Sequence, residues 1–343
     1  MACIPYSVSS RVRINSNNRI YRIDEGNMSL FKTRTHYKPF DYPWAFEAYD
    51  TQQKMHWLPS EVPLAEDVRD WNDRLSDKEK NLITQILKFF TQGDVDIAQA
   101  YLDKYIPKFK APEIRMMLSA IATSEANHVH SYSLLNDTIG LPDSEYRAFQ
   151  EYKAMADKHR YLFKDKGEGI EGMARELAVF SAFGEGLQLF ASFIMLLNFQ
   201  RYGKMKGMCQ IVTWSIRDES HHVENMIKVF HTLIDENKNI WNDDFKGTLY
   251  QTCRDMVELE DKFIDLAFNL GEVQGLKAED VKLYIRHIAD RRLLQLGLKP
   301  NYNQKTNPLP WLDWVLNGVE HTNFFENRAT EYAKGNLTGD LWA

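Results

Sequence analysis

Cysteine is scarce in this chain. Only Cys3, Cys209 and Cys253 occur in 343 residues. They are far apart and odd in number, which excludes a disulfide framework and the paired spacing of a zinc site. A reducing, cytoplasmic setting follows. Basic excess is missing too. Asp and Glu number 48 against 42 Lys and Arg, for a net charge of −6, and nothing suggests the basic stripe of a nucleic-acid binder. The opening MACIPYSVSSRVRINSNN lacks the unbroken apolar core of a secretory signal. Strand signals are almost absent, with no alternating run longer than a few residues. Long apolar runs are limited to one, AVFSAFGEGLQLFASFIMLL at 178–197. Its length suits a bilayer, which takes about 20 apolar residues. Yet Glu185 and Gln188 fall near its middle, where polar groups are costly. We read it as a buried helix and expect no membrane contact.

What is present is helical periodicity on a composition that is 44% hydrophobic, enough for a large core. Residues 1–65 are aromatic- and proline-rich and read as irregular. Ser76-Asp77-Lys78-Glu79 fits a capping box. Leu82, Ile83, Ile86, Leu87 and Phe90 follow at helical spacing, and Asp94 continues that face. Further helices are predicted from Pro112 to about Leu135, over roughly 143–164, through the apolar run to about 199, and over about 207–234, 243–270 and 277–295. DKGEGIEG at 165–172 reads as a loop. The expected fold is all-α, with a helical domain over 66–300 and a C-terminal segment and tail over 301–343.

Two of the ten histidines have a glutamate three residues earlier: Glu125 with His128, and Glu219 with His222. At i and i+3 the two side chains share one helix face. That face is otherwise apolar, with Leu118, Ile121 and Ala122 beside the first pair and Val212, Ile216 and Met226 beside the second. Asp94 lies 31 residues before Glu125, and Glu185 lies 34 before Glu219. The chain thus carries twice the unit of a carboxylate on one helix and Glu-x-x-His on a later one.

Four carboxylates in an apolar interior would take up protons and repel one another. Two divalent cations neutralise them. Carboxylate and imidazole donors without thiolate suit iron or manganese, and the pattern is that of ferritin-like di-metal carboxylate bundles. The bland alternative is that the acids cap or pair within the core and the histidines are packed. Gly184 and Gly186 flank Glu185. They allow either close helix packing or a loosened turn. Tyr132, four residues after His128, reads as a core tyrosine or as an oxidisable phenol, with Leu189 and Phe193 available to shield it. His130 lies off the ligand face and reads as structural.

These segments resemble a known family. FFTQGD ending at Asp94, SEANHVHSY at 124–132, FGEGLQLFASF at 183–193 and RDESHH at 217–222 are similar to the metal-site helices of the small, radical-generating subunit of class I ribonucleotide reductase. HIADRRLLQLGL at 287–298 and NFFENRATEY at 323–332 resemble its later segments. The resemblance implies a ferritin-like fold and six ligands: Asp94, Glu125, His128, Glu185, Glu219 and His222. These would hold two metal ions, di-iron first, with di-manganese or manganese–iron as alternatives. It implies a radical on Tyr132 and a transfer route through Trp57, near the surface, Asp218 and Tyr332. A large catalytic subunit as partner, docked on the tail GNLTGDLWA, and a homodimer are further implications. Ser215 stands where the family usually has an apolar residue. Two other readings compete: a di-metal oxidase or hydroxylase acting on a bound organic substrate, and a non-enzymatic metal-binding bundle.

Overall fold

The computed structural model describes residues 12–14, 20–22, 29–148, 151–313 and 315. Tyr332 and the tail GNLTGDLWA lie outside the described residues. Most of the described residues are helical. The strands among them are a short antiparallel pair, β1 (Val12–Ile14) and β2 (Ile20–Arg22), joined in the register Val12–Arg22.

The helices are α1 (Pro43–Lys54), α2 (Ala65–Asp73), α3 (Asp77–Gln99), α4 (Pro112–Ile139), α5 (Ser144–Ala148), α6 (Lys153–Phe163), α7 (Gly169–Leu177), α8 (Leu189–Leu197), α9 (Lys206–Glu236), α10 (Asp243–Ala267) and α11 (Ala278–Gln295). Two π-helical stretches interrupt them. Ala100–Tyr105 continues α3, and Ala178–Gln188 joins α7 to α8. The bundle core is formed where α3 packs on α4, and α9 on α4, α8 and the 178–188 stretch.

Local chemistry explains several boundaries. Ser76 accepts from the Glu79 amide at 3.4 Å, and Glu79 Oε2 accepts from the Ser76 amide at 2.9 Å. The box satisfies two amide groups that the first turn leaves unpaired. Asp67, fully buried, accepts from the amides of Gly207 at 2.9 Å and Met208 at 2.8 Å and so caps α9. A Cβ on Gly207 would lie 2.8 Å from Asp67 Oδ2. The glycine is what lets the carboxylate reach the start of the helix that carries Glu219 and His222.

Some expectations are corrected. Residues 1–65 are not wholly irregular, because α1 starts on Pro43 and packs on α4. Its buried face is Ala45, Ala48 and Gln52, too weakly apolar to read as a stripe. The helix predicted over 143–164 is two, α5 and α6, with extended backbone at Tyr152 between them. The loop predicted to 172 ends earlier, since α7 begins at Gly169.

The apolar run is one element of a continuous helix, Gly169–Tyr202, long and apolar enough to cross a membrane, whose most apolar window is entirely buried inside the protein. Both readings of its glycines have a counterpart. The backbone around Glu185 is π-helical, a widened turn that often marks functional sites. Packing is also tight, for a Cβ on Gly186 would lie 2.7 Å from Arg292 Nε, which itself donates to Gly186 O at 2.7 Å.

Away from this centre, α6 and α10 share a fully buried ion pair, Lys158 Nζ to Glu260 Oε2 at 2.6 Å. The ammonium also sits 3.6 Å from the Phe89 ring centroid and 4.3 Å from that of Phe263. Three helices meet on this one cation.

Candidate metal centre

Four elements deliver the six predicted side chains to the interior. Asp94 comes from α3, Glu125 and His128 from α4, Glu185 from the π-helical stretch, and Glu219 and His222 from α9. None is more than 2% exposed. Ligand atoms of Glu125, Glu185, Glu219 and His222 all lie within 4.8 Å of one another. His128 Nδ1 is 3.2 Å from Glu219 and 3.5 Å from Glu125. His222 Nδ1 is 2.8 Å from Glu125 and 3.5 Å from Glu219. Asp94 lies within electrostatic reach of His128, Glu125 and Glu219.

These groups perturb one another strongly. Burial lifts the carboxyl of Glu185 well above the ordinary range, and repulsion from Glu219 and Glu125 adds to it. Asp94 is lifted by burial too, against attraction from His128. Burial would also raise Glu125, but the two histidines bring it down to about 2. His222 rises to about 10 despite burial, because Glu125 and Glu219 surround it.

Many of the donor atoms lack a well-aligned hydrogen bond within the protein. Asp94 Oδ2, both oxygens of Glu125, Glu185 and Glu219, and both nitrogens of His222 are buried without a well-aligned hydrogen bond. Buried polar atoms are ordinarily paired. Two divalent cations would supply partners and charge balance together, so the cluster fits a di-metal centre.

A second group adjoins it. Trp57 Nε1 donates to Asp218 Oδ2 at 2.8 Å, and the same oxygen lies 3.2 Å from His128 Nε2. Arg217 Nη2 donates to Asp218 Oδ1 at 3.2 Å. Burial opposes the charge on Asp218, but His128 and Arg217 hold its carboxyl below the usual range. Trp57 is buried, whereas the resemblance implied a near-surface position. Its ring packs 5.0 Å from that of Trp214.

Tyr132 is also buried. Its hydroxyl donates to Ser215 Oγ at 3.0 Å. The Phe90 ring lies 4.7 Å from it, and Phe193 lies 5.2 Å from Phe90. Burial lifts the phenol far above its ordinary value. Phe90 is thus the ring against Tyr132, with Phe193 behind it.

A family model described as "Ribonucleotide reductase, small chain" matches residues 34–308. The chain belongs to that family. A probable ribonucleoside-diphosphate reductase small subunit, 048L of Invertebrate iridescent virus 3, is 48% identical to this small chain over 331 residues, with 91% of this chain and 88% of the relative covered. The ribonucleoside-diphosphate reductase subunit beta of Chlamydia pneumoniae is 30% identical, with 88% and 90% covered. The ribonucleotide reductase R2 subunit of Clostridium botulinum superposes with a TM-score of 0.78 at 24% identity, over 91% of this chain and 99% of that one. The dimanganese(II) NrdF of Streptococcus sanguinis superposes with a TM-score of 0.73 at 20% identity, over 83% and 100%. The small chain is therefore a component of an oxidoreductase, class I ribonucleotide reductase, with a ferritin-like fold, and the family works with a large subunit.

Three neighbours of the site were not singled out in the sequence. Ser124 donates to Asp218 at 3.4 Å, and Gln52 donates to Ser124 at 3.2 Å. Tyr101, seven residues past Asp94, is buried within electrostatic reach of Glu185 and Glu125. Two helical turns separate Asp94 from Tyr101, and that spacing was the available signal.

Proposed function

We propose that Asp94, Glu125, His128, Glu185, Glu219 and His222 hold two metal ions and that Tyr132 carries the radical the small chain supplies to its large subunit. The observation that carries this reading is the cluster of buried carboxylates and imidazoles, most of whose donor atoms lack a well-aligned hydrogen bond in the protein. Iron is the first assignment. Manganese suits the same oxygen and nitrogen donors. When bound, the metal pair supplies the oxidising power that a phenol needs to lose an electron.

The rest is work for side chains. Asp218 accepts from His128 Nε2 and so favours the tautomer whose Nδ1 lone pair faces Glu125 and Glu219. Trp57 donates its indole proton to the same carboxylate, which gives the ring a proton acceptor when it yields an electron. Ser215 holds the Tyr132 hydroxyl in one orientation. Phe90 and Phe193 keep water from the ring. We assign the onward step to Tyr332, and docking on the large subunit to the tail GNLTGDLWA, which carries Leu341 and Trp342. A homodimer in the cytoplasm, with no membrane or nucleic-acid contact, completes the reading.

Electron paramagnetic resonance on the full chain, loaded with iron and exposed to oxygen, tests it. A tyrosyl signal is expected, and Tyr132→Phe should abolish it. Tyr332→Phe should keep the signal yet abolish nucleotide reduction in the mixture with the large subunit. Full activity in Tyr332→Phe would contradict the relay.

A further inference from the structure

Arg292 is a cation in an unusual place. It lies on α11 and is 7% exposed. A buried charge is ordinarily matched by an opposite one, yet among the described residues no carboxylate forms an ion pair with it. Its contacts are of another kind. Nε donates to the main-chain oxygen of Gly186 at 2.7 Å, across 106 residues of sequence. Nη1 donates to Gln295 Oε1 at 2.8 Å, within α11 itself. The guanidinium carbon lies 5.2 Å from the centroid of the Phe190 ring. Gly186 and Phe190 are four residues apart, so the side chain grips one face of the buried helix next to Glu185.

The gripped backbone is the part of that helix with the least restraint of its own. Ala178–Gln188 is π-helical, and Glu185 sits in it between Gly184 and Gly186. A π turn is wider than an α turn, and glycine restricts the backbone least of all residues. Glu185 is fully buried, and neither of its oxygens has a well-aligned hydrogen bond to hold it. Support for this carboxylate has to come through its main chain. Arg292 supplies it, and only glycine admits the approach: a Cβ on Gly186 would lie 2.7 Å from Nε and 3.1 Å from Cδ of Arg292. A guanidinium has donors and no acceptor, so it meets a carbonyl oxygen in its one protonation state.

We propose that Arg292 is a positioning residue: its Nε–H fixes the Gly186 carbonyl and, with it, the π-helical backbone that presents Glu185 to the metal pair. The inference rests on the di-metal reading above. Removing a group that orients a metal ligand typically changes affinity about 10–100-fold, and a contact made through the main chain belongs near the lower figure, about 10-fold.

The test is a Mn(II) titration of the metal-free, full-length protein, following free Mn(II) by electron paramagnetic resonance. The parent should bind two ions per chain. Arg292→Met keeps the side-chain length up to the Nε position but has no N–H there. It should weaken one of the two steps by about 10-fold and leave the other unchanged, while its metal-free circular dichroism matches the parent. Arg292→Gln is neutral but puts an amide N–H at that position, and should bind like the parent. Gln295→Ala, which spares the Gly186 contact, should do the same. A parent-like titration of Arg292→Met would overturn the inference. So would an equal loss at both steps, or the same loss in Arg292→Gln or Gln295→Ala, which would trace the effect to charge or to the packing of α11. Should Arg292→Met not fold, Gly186→Ala displaces the same donor and carries the same prediction, and parent-like binding there would overturn the inference too. A parent that binds fewer than two ions would overturn the di-metal reading itself, and this inference with it.

Discussion

Asp218 is the residue on which the most contacts near the metal cluster converge. It takes hydrogen bonds from Trp57, Ser124 and Arg217 and faces His128 Nε2. Asp218→Asn would preserve its shape but replace an acceptor oxygen with a donor, or remove the charge that fixes the His128 tautomer. We expect a loss of about 10–100-fold in metal affinity or activity, read by metal analysis and by nucleotide reduction with the large subunit. Parent-like values in both would remove Asp218 from the account. Spacing alone could not have found it, because Asp218 is adjacent to Glu219 and therefore sits on a different part of the helix surface. The contact with Trp57 spans 161 residues of sequence, and no local pattern encodes it. Ser215 shows the converse. It stood out in the sequence as a polar residue one turn before Glu219, and the structure explains it as the acceptor for the Tyr132 hydroxyl.

Elements are held in register by a few buried polar contacts. The Lys158–Glu260 pair joins α6 to α10 with no exposure on either side chain. Removing one partner leaves a buried charge uncompensated. Glu260→Leu alone should cost about 3–5 kcal/mol, whereas the double change Lys158→Met with Glu260→Leu should be neutral or stabilising by about 1–4 kcal/mol. Urea melts of the three proteins check this, and equal losses in single and double variants would contradict it. At this scale the Glu-x-x-His spacing and the isolated acids were sufficient to pick out four inward helices. The π-helical stretch Ala100–Tyr105 was not legible, because its residues carry ordinary helical periodicity, whereas the one around Glu185 left a trace in the flanking glycines Gly184 and Gly186. The helix α1 was missed because a buried face of two alanines and a glutamine gains its burial from packing on α4, not from its own hydrophobicity.

Across the described residues, a large hydrophobic core encloses the carboxylate–imidazole cluster. The buried carboxylates repel, so the metal-free protein should be the less stable form. A metal present at a hundred times its dissociation constant stabilises the folded state by about 2.7 kcal/mol. Fe(II) or Mn(II) should therefore raise the melting temperature by several degrees, and a chelator should reverse the shift. Ca(II), which favours larger all-oxygen shells, should do much less. An identical response to Ca(II) would argue against a site selected by imidazole nitrogen.

The most direct measurement is anomalous X-ray diffraction from crystals of the Mn(II)-loaded chain, with data collected on both sides of the manganese edge. Two anomalous peaks are expected within the cluster, bounded by Asp94, Glu125, His128, Glu185, Glu219 and His222. A single peak, or peaks that leave any of these six side chains outside the metal shell, would contradict it.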